Sequence, residues 1–294
     1  MIETIIFSMD RAMQCESLLR SMDDMCTGIN HITVICRATG QLHEDAYTRL
    51  MSEERKVSTT FIQEGRGFGL AAALEDTVRT APDGSYVCIN VDDQIYYRPA
   101  DFRYAVSVLV ERYAFVWSWR LGDPDWHHPN PHRGGYWLRE NSPGRDHGYL
   151  WHSDGALYCR EDYLRVLDGA AAAAEAGLEW KKQSLTPNHL ETIGVTHPHL
   201  WRNRRHVGPS KPCCMTWQVN KESTTAGRFG APWKTVPETE LDVLAQAFLN
   251  GKRVQNDLLY KDHSWTQRFQ QPDGIPTHVR ACEEASKFYA SLIR

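Results

Sequence analysis

At 294 residues the chain can bury a sizeable core, and its length allows one large domain or two small ones. Hydrophobic residues make up 41% and charged residues 24%, with a net charge of −4. This balance is that of an ordinary globular protein and implies no general electrostatic pull toward nucleic acid or an anionic membrane.

The opening, MIETIIFSMDRAMQ, has no basic segment ahead of its short apolar run and reads as a first strand, not a signal peptide. Strand one is expected over Thr4–Ser8. Asp10-Arg11 then opens a helix with Met13, Leu18, Leu19 and Met22 on one face. His31–Cys36 reads as strand two, His43–Ser52 as a helix, and Ser58–Ile62 as a third, weaker strand. The glycine-rich Glu64–Gly69 leads into a helix over Leu70–Arg79. Tyr86–Val91, with only Asn90 strongly polar, suits a strand buried on both faces of a parallel sheet. Strands alternating with helices in this way argue for βαβ units.

Beyond Pro99 the pattern predicts a helix over Asp101–Arg112 and a strand over Tyr113–Trp119. From Leu121 to Gly148 the chain is crowded with Pro, Gly, His and Asp and reads as loop or lid. A strand over Gly155–Cys159, a helix over Glu161–Leu167 and a late strand over Met215–Val219 follow. Pro187–Ile193 starts another helix. After Asn220 only helices near Glu238–Leu249 and Val279–Leu292 stand out. No run approaches the roughly 20 apolar residues of a membrane-spanning helix.

The eight cysteines are scattered without a Cys-x-x-Cys spacing, and the vicinal Cys213-Cys214 pair suits a disulfide poorly. A reduced, cytoplasmic protein is the expectation. Ten tryptophans and twelve tyrosines supply stacking surface, and most are expected to be core.

The strand over Tyr86–Val91 ends in Asp92-Asp93-Gln94. Ligands collect beyond the carboxyl ends of strands in open α/β sheets, and carboxylates there suit Mg²⁺ or Mn²⁺ set against a diphosphate. The plain alternative is a solvated turn. Gly65-Arg66-Gly67-Phe68-Gly69 is neither a P-loop nor a dinucleotide fingerprint. It either presents backbone N–H groups and Arg66 to a phosphate or is a turn that needs glycine. The histidines show no zinc-type spacing, and His199 is the candidate to complete a metal site begun by Asp93. Asp154, in Ser153-Asp154-Gly155, either faces the same cleft or belongs to a turn. Glu191, in the capped helix start TPNHLE, is either a cleft carboxylate or an ordinary solvated side chain.

In this order, FSMDRAMQCESLLRSM and YVCINVDDQIYYRP resemble the first strand–helix unit and the DxD-type strand of bacterial GT-A glycosyltransferases. HSDGALYCR, TPNHLE and WQVNK resemble later elements of some members. The likeness covers roughly residues 1–220 and departs at the third motif position, which is Gln94. It implies a GT-A (Rossmann-like), mostly parallel α/β sheet flanked by helices. Residues 1–112 would form the nucleotide-binding half, 113–220 the acceptor half, and 221–294 a C-terminal extension packed on them. It further implies a metal-assisted glycosyltransferase using Mn²⁺ or Mg²⁺ and a nucleotide-sugar donor, UDP favoured. Ser8, Asp10 and Arg11 would face the nucleotide, Arg37 and Arg66 the base or diphosphate, and Asp93 with Asp92 the metal. Asp154 and Glu191 are the candidate general bases, and the tryptophan-rich loop between Trp119 and Trp151 would cover the sugar or acceptor. The acceptor class stays open among carbohydrate, lipid-linked, peptide and small-metabolite hydroxyls, as does a homo-oligomer; nucleic acid is not an expected partner. The competing readings are a sugar-1-phosphate nucleotidyltransferase, disfavoured because no basic glycine-rich loop follows strand one, and a nucleotide-sugar-binding protein without turnover.

Overall fold

The computed structural model describes residues 1–64, 69–120, 136–140, 154–175, 205–209, 213–217, 237–261, 278–279 and 283–294. Apolar residues alternating through β1 (Ile2–Met9) serve two cores at once. Ile2 and Ile6 point to one, Ile5 and Phe7 to the other. That two-sided burial makes β1 a central strand. The chain then runs through α1 (Ala12–Met25), β2 (Cys26–Thr27), β3 (His31–Arg37), α2 (Gln41–Met51), β4 (Thr59–Gln63), α3 (Leu70–Thr80) and β5 (Tyr86–Val91). A two-residue turn, Asp92-Asp93, joins β5 to β6 (Gln94–Tyr96). There follow β7 (Ala100–Asp101), α4 (Phe102–Glu111), β8 (Ala114–Ser118), β9 (Tyr136–Glu140), β10 (Ala156–Cys159), α5 (Arg160–Glu175), β11 (Arg205–Pro209) and β12 (Cys214–Trp217). The C-terminal part holds α6 (Leu241–Leu249), α7 (Asn256–Lys261), β13 (His278–Val279) and α8 (Glu283–Ser291).

The main sheet has the order β4-β3-β1-β5-β10-β8-β11-β9. Pairings of β1 with β3 and β5, of β3 with β4, and of β8 with β11 are parallel; β10 and β9 run against their neighbours. This is the expected α/β architecture, a mostly parallel sheet with helices on both faces. The order reverses at β1. From β1 the chain moves outward to β3 and β4, then returns over α3 to β5 on the other side. A crevice between the carboxyl ends of β1 and β5 follows from that topology.

Helix α1 forms as its spacing predicts, with Met13, Leu18, Leu19 and Met22 all buried. It shares one core with α2, α4 and the sheet, while α3 and α5 pack the other face through Leu74, Val78, Tyr163 and Val166. The C-terminal segment joins the first core through Leu244, Phe248, Leu259 and Tyr289. It is also pinned by polar bonds. Ser17 Oγ donates to Asn256 Oδ1 at 2.7 Å, Asn256 Nδ2 donates to Ser17 O at 2.8 Å, and Arg20 donates to Val254 O at 2.6 Å. Arg253 pairs with Glu53 and stacks 4.2 Å from the Phe248 ring.

Two expectations are corrected, and one strand was not anticipated. The stretch 121–148 is not all loop, because β9 forms within it as an edge strand antiparallel to β11. Its Tyr136-Trp137-Leu138 run has strand-forming side chains, hidden in the sequence by the surrounding Gly and Pro. β11 itself went unpredicted, since RHVGP offers only one apolar residue, Val207. The helix expected over Glu161–Leu167 runs on through the alanine-rich stretch to Glu175 as α5. Trp117 and Trp119 are core residues, as expected of most tryptophans, with ring centroids 5.3 Å apart. The predicted helix at Pro187–Ile193 lies outside the described residues. The seven described cysteines are free thiols, and no described helix is long and apolar enough to cross a membrane.

Replacing Asn256 by alanine leaves the buried Ser17 hydroxyl on α1 without its acceptor. We expect Asn256→Ala to lower unfolding stability by about 1–3 kcal/mol, measured by urea denaturation. A change near zero would mean the C-terminal segment is not fastened there.

Candidate functional site

The rim at the carboxyl ends of β1, β5 and β8 gathers most of the charged residues singled out above. Asp92 N donates to Phe7 O at 3.0 Å, which sets the Asp-Asp turn beside the end of β1. Arg11 Nη1 then lies 3.1 Å from Asp92 Oδ1 and 3.4 Å from Asp93 Oδ2. The side chains of Arg11, Asp92 and Asp93 are 12%, 5% and 12% exposed. The pair is therefore not a solvated turn. Asp92 Oδ2 also accepts from Met9 N at 3.3 Å. No side chain caps the start of α1, which opens beside this cluster and adds positive potential to it.

Arg11 is positioned from behind. Its backbone N–H donates to the Tyr47 hydroxyl at 3.2 Å, and that hydroxyl shares a 2.6 Å hydrogen bond with Ser8 Oγ. Tyr47 is fully buried on α2, and its helical spacing with Ala46 and Leu50 points only to a core residue. Asp10 has φ +56°, a left-handed conformation that Asp tolerates better than most residues. Its carboxylate takes Thr39 N at 2.7 Å and Thr39 Oγ1 at 2.6 Å, and its N–H donates to Arg37 O at 3.0 Å. Asp10 thus ties the ends of β1 and β3 together, with both oxygens committed to Thr39. Arg37 is exposed at the end of β3, and its charge acts on Glu64.

On the other side of β5, Gly155 N donates to Ile89 O and Trp119 N donates to Gly155 O, each at 2.9 Å. These bonds bring the start of β10 and the end of β8 to the same rim. Arg120 and Asp154 form an ion pair there at 3.3 Å, both largely buried. Arg120 was missed in the sequence, although its place directly after the β8 run AFVWSWR is where a strand-end rule would look. Gly155 has φ +65°, and a Cβ there would stand 3.3 Å from Gln94 Nε2. Gln94 is fully buried, and its Oε1 accepts from Val91 N at 3.0 Å. The third motif position therefore closes the turn that presents Asp92 and Asp93. Arg66, Glu191 and His199 lie outside the described residues.

Burial pushes the Asp93 carboxyl up to about 7; Arg11 opposes this rise, while the Asp92 and Asp154 charges add to it. Asp92 is raised as well, first by burial, against the pull of Arg11. Among the described residues Asp93 Oδ1 is buried and makes no hydrogen bond. An unspent carboxylate oxygen beside a second carboxylate fits a hard divalent cation that takes its other ligands from phosphate and water. No group of three or more His, Cys, Asp or Glu side chains among the described residues forms a closed metal cage.

No protein-family model and no curated protein matches this sequence. Solved structures do. The mannosyltransferase PcManGT from Pyrobaculum calidifontis, in complex with GDP-Man and Mn²⁺, is 16% identical, with a TM-score of 0.45 over 88% of this chain and 71% of its own. TarS 1–349 from S. aureus is 10% identical, with a TM-score of 0.43 over 71% of this chain and 58% of that one. The 4-diphosphocytidyl-2C-methyl-D-erythritol synthase from Anaerococcus prevotii is 11% identical, with a TM-score of 0.41 over 85% and 96%. The chain spans under two thirds of the TarS fragment. Likenesses this distant assign no donor, acceptor or metal to this chain.

A carboxyl held above its unfolded value keeps its proton longer in the folded chain. Its contribution to stability is therefore largest at low pH and declines as pH rises from about 4 to about 7. We expect Asp93→Asn to melt about 3–6 °C above wild type at pH 8 and close to it at pH 4.5, by calorimetry. An equal or lower melting temperature at pH 8 would mean that Arg11 fully offsets the burial of this charge.

Proposed function

We propose that this protein is a metal-assisted glycosyltransferase that moves a sugar from a nucleotide diphosphate donor, a UDP-sugar favoured, to an acceptor hydroxyl. One observation carries the reading. At the sheet's topological switch point, Asp93 keeps a buried oxygen with no hydrogen bond among the described residues beside Asp92, while Arg11 supplies positive charge to the same crevice. A nucleoside diphosphate and a divalent cation together match that pairing of charges.

Sugar transfer breaks the bond between the anomeric carbon and the diphosphate oxygen, so negative charge grows on the leaving group. Arg11 faces that charge, and the open start of α1 adds to its effect. Asp93, with Asp92 beside it, would hold Mn²⁺ or Mg²⁺, which when bound supplies Lewis-acid stabilisation of the diphosphate. Ser8 lies at the nucleotide end through its bond to Tyr47. Asp10 shapes that end by holding Thr39 and is assigned positioning, not ligand contact. Arg37 and Arg66 are assigned to the base or diphosphate.

The acceptor hydroxyl must lose its proton as it attacks. Asp154 is the base we favour, since its charge is felt at Asp93 and Arg120 orients it. Glu191 is the second carboxylate assigned to that task, and His199 a further metal ligand. Free thiols accord with a cytoplasmic setting.

A thermal-shift screen of nucleoside diphosphates and their sugars with Mn²⁺ tests the reading. UDP or GDP with Mn²⁺ should raise the melting temperature in wild type and leave Asp93→Ala unmoved. In donor-hydrolysis or transfer assays, Asp154→Asn should lower kcat by roughly 10²–10⁴-fold while nucleotide binding persists. No shift with any nucleotide would defeat the assignment, and pyrophosphate release from a nucleoside triphosphate and a sugar phosphate would replace it with nucleotidyl transfer.

A further inference from the structure

Asp92 and Asp93 already have a cation between them. Arg11 Nη1 reaches Asp92 Oδ1 at 3.1 Å and Asp93 Oδ2 at 3.4 Å, with all three side chains largely withdrawn from water. Its backbone is held by the Tyr47 hydroxyl, so what can move is the guanidinium at the end of its stem. A divalent ion arriving alone meets a pair that is already partly neutralised. If Arg11 stays, like charges crowd a low-dielectric crevice. If it leaves, it gives up its pairing with both carboxylates. A diphosphate changes this balance, because its oxygens accept the guanidinium and release carboxylate oxygens to the metal.

Resting on the glycosyltransferase reading above, we propose that Arg11 is an internal counter-ion that makes cation binding and nucleoside diphosphate binding depend on each other. The nucleotide draws Arg11 off the carboxylates, and the cation takes its place. Each ligand alone binds weakly, and linkage requires each to tighten the other by the same factor.

The test is isothermal titration of the full chain with Mn²⁺ and with UDP, each alone and in the presence of the other. In wild type each ligand should tighten the other by roughly tenfold or more. Arg11→Gln should bind Mn²⁺ alone roughly tenfold tighter than wild type, with mutual tightening falling toward unity. Arg11→Lys, which keeps the charge, should retain weak Mn²⁺ binding. Independent binding of the two ligands in wild type overturns the proposal without any variant. So does Mn²⁺ affinity in folded Arg11→Gln no better than wild type. Failure of UDP to bind any chain defeats the glycosyltransferase reading and the mutual dependence with it. Tighter Mn²⁺ binding by Arg11→Gln in that case would still identify Arg11 as the counter-ion of the acidic pair.

Discussion

Two carboxylates at adjacent positions, both nearly out of water, cannot persist without a compensating charge, and Arg11 supplies it from the loop between β1 and α1. Replacing the pair by apolar residues would remove a desolvation cost, so stability alone does not explain it. Even with Arg11 in place, burial wins at Asp93 and lifts its carboxyl to about 7. The neighbourhood is electrostatically unfinished, with one Asp93 oxygen unspent among the described residues. Sites that bind ions and anions keep such imbalance, because the ligand completes the pairing.

The surrounding structure holds that imbalance in place. Sheet topology opens the crevice between β1 and β5, and Phe7 O fixes the turn against β1. Asp10 accepts a left-handed backbone to clamp Thr39, and Tyr47 fixes Arg11 and Ser8. Behind the turn, Tyr289 of α8 lines a small crevice with Gln14, Ser17, Asp92 and Asp93. The C-terminal segment, bound to α1 through Ser17 and Asn256, thereby packs against the back of the acidic turn.

Much of this was legible in the sequence where periodicity was strong. β1, α1, β3, α2, β4, α3 and β5 all fall within a few residues of their expected bounds, the helices through a 3.6-residue apolar spacing and the strands as short apolar or β-branched runs between turns. β9 and β11 were not legible, because a short edge strand and a strand with one buried apolar residue are defined by partners far away in the chain. In the site, Asp92, Asp93 and Arg11 were found through strand-end logic and a family likeness. Their mutual ion pair was not, since an 81-residue separation leaves no local trace. The roles of Gln94 as the brace of the turn and of Arg120 as the partner of Asp154 likewise depend on three-dimensional neighbours.

Diffraction from crystals grown with Mn²⁺ and UDP, collected at the manganese absorption edge, tests the central claim most directly. The expected result is an anomalous peak beside the Asp93 carboxylate at the β1–β5 rim, with the Arg11 guanidinium moved from the carboxylates to the diphosphate. Manganese and nucleotide bound elsewhere, with Arg11 still seated between Asp92 and Asp93, would contradict it.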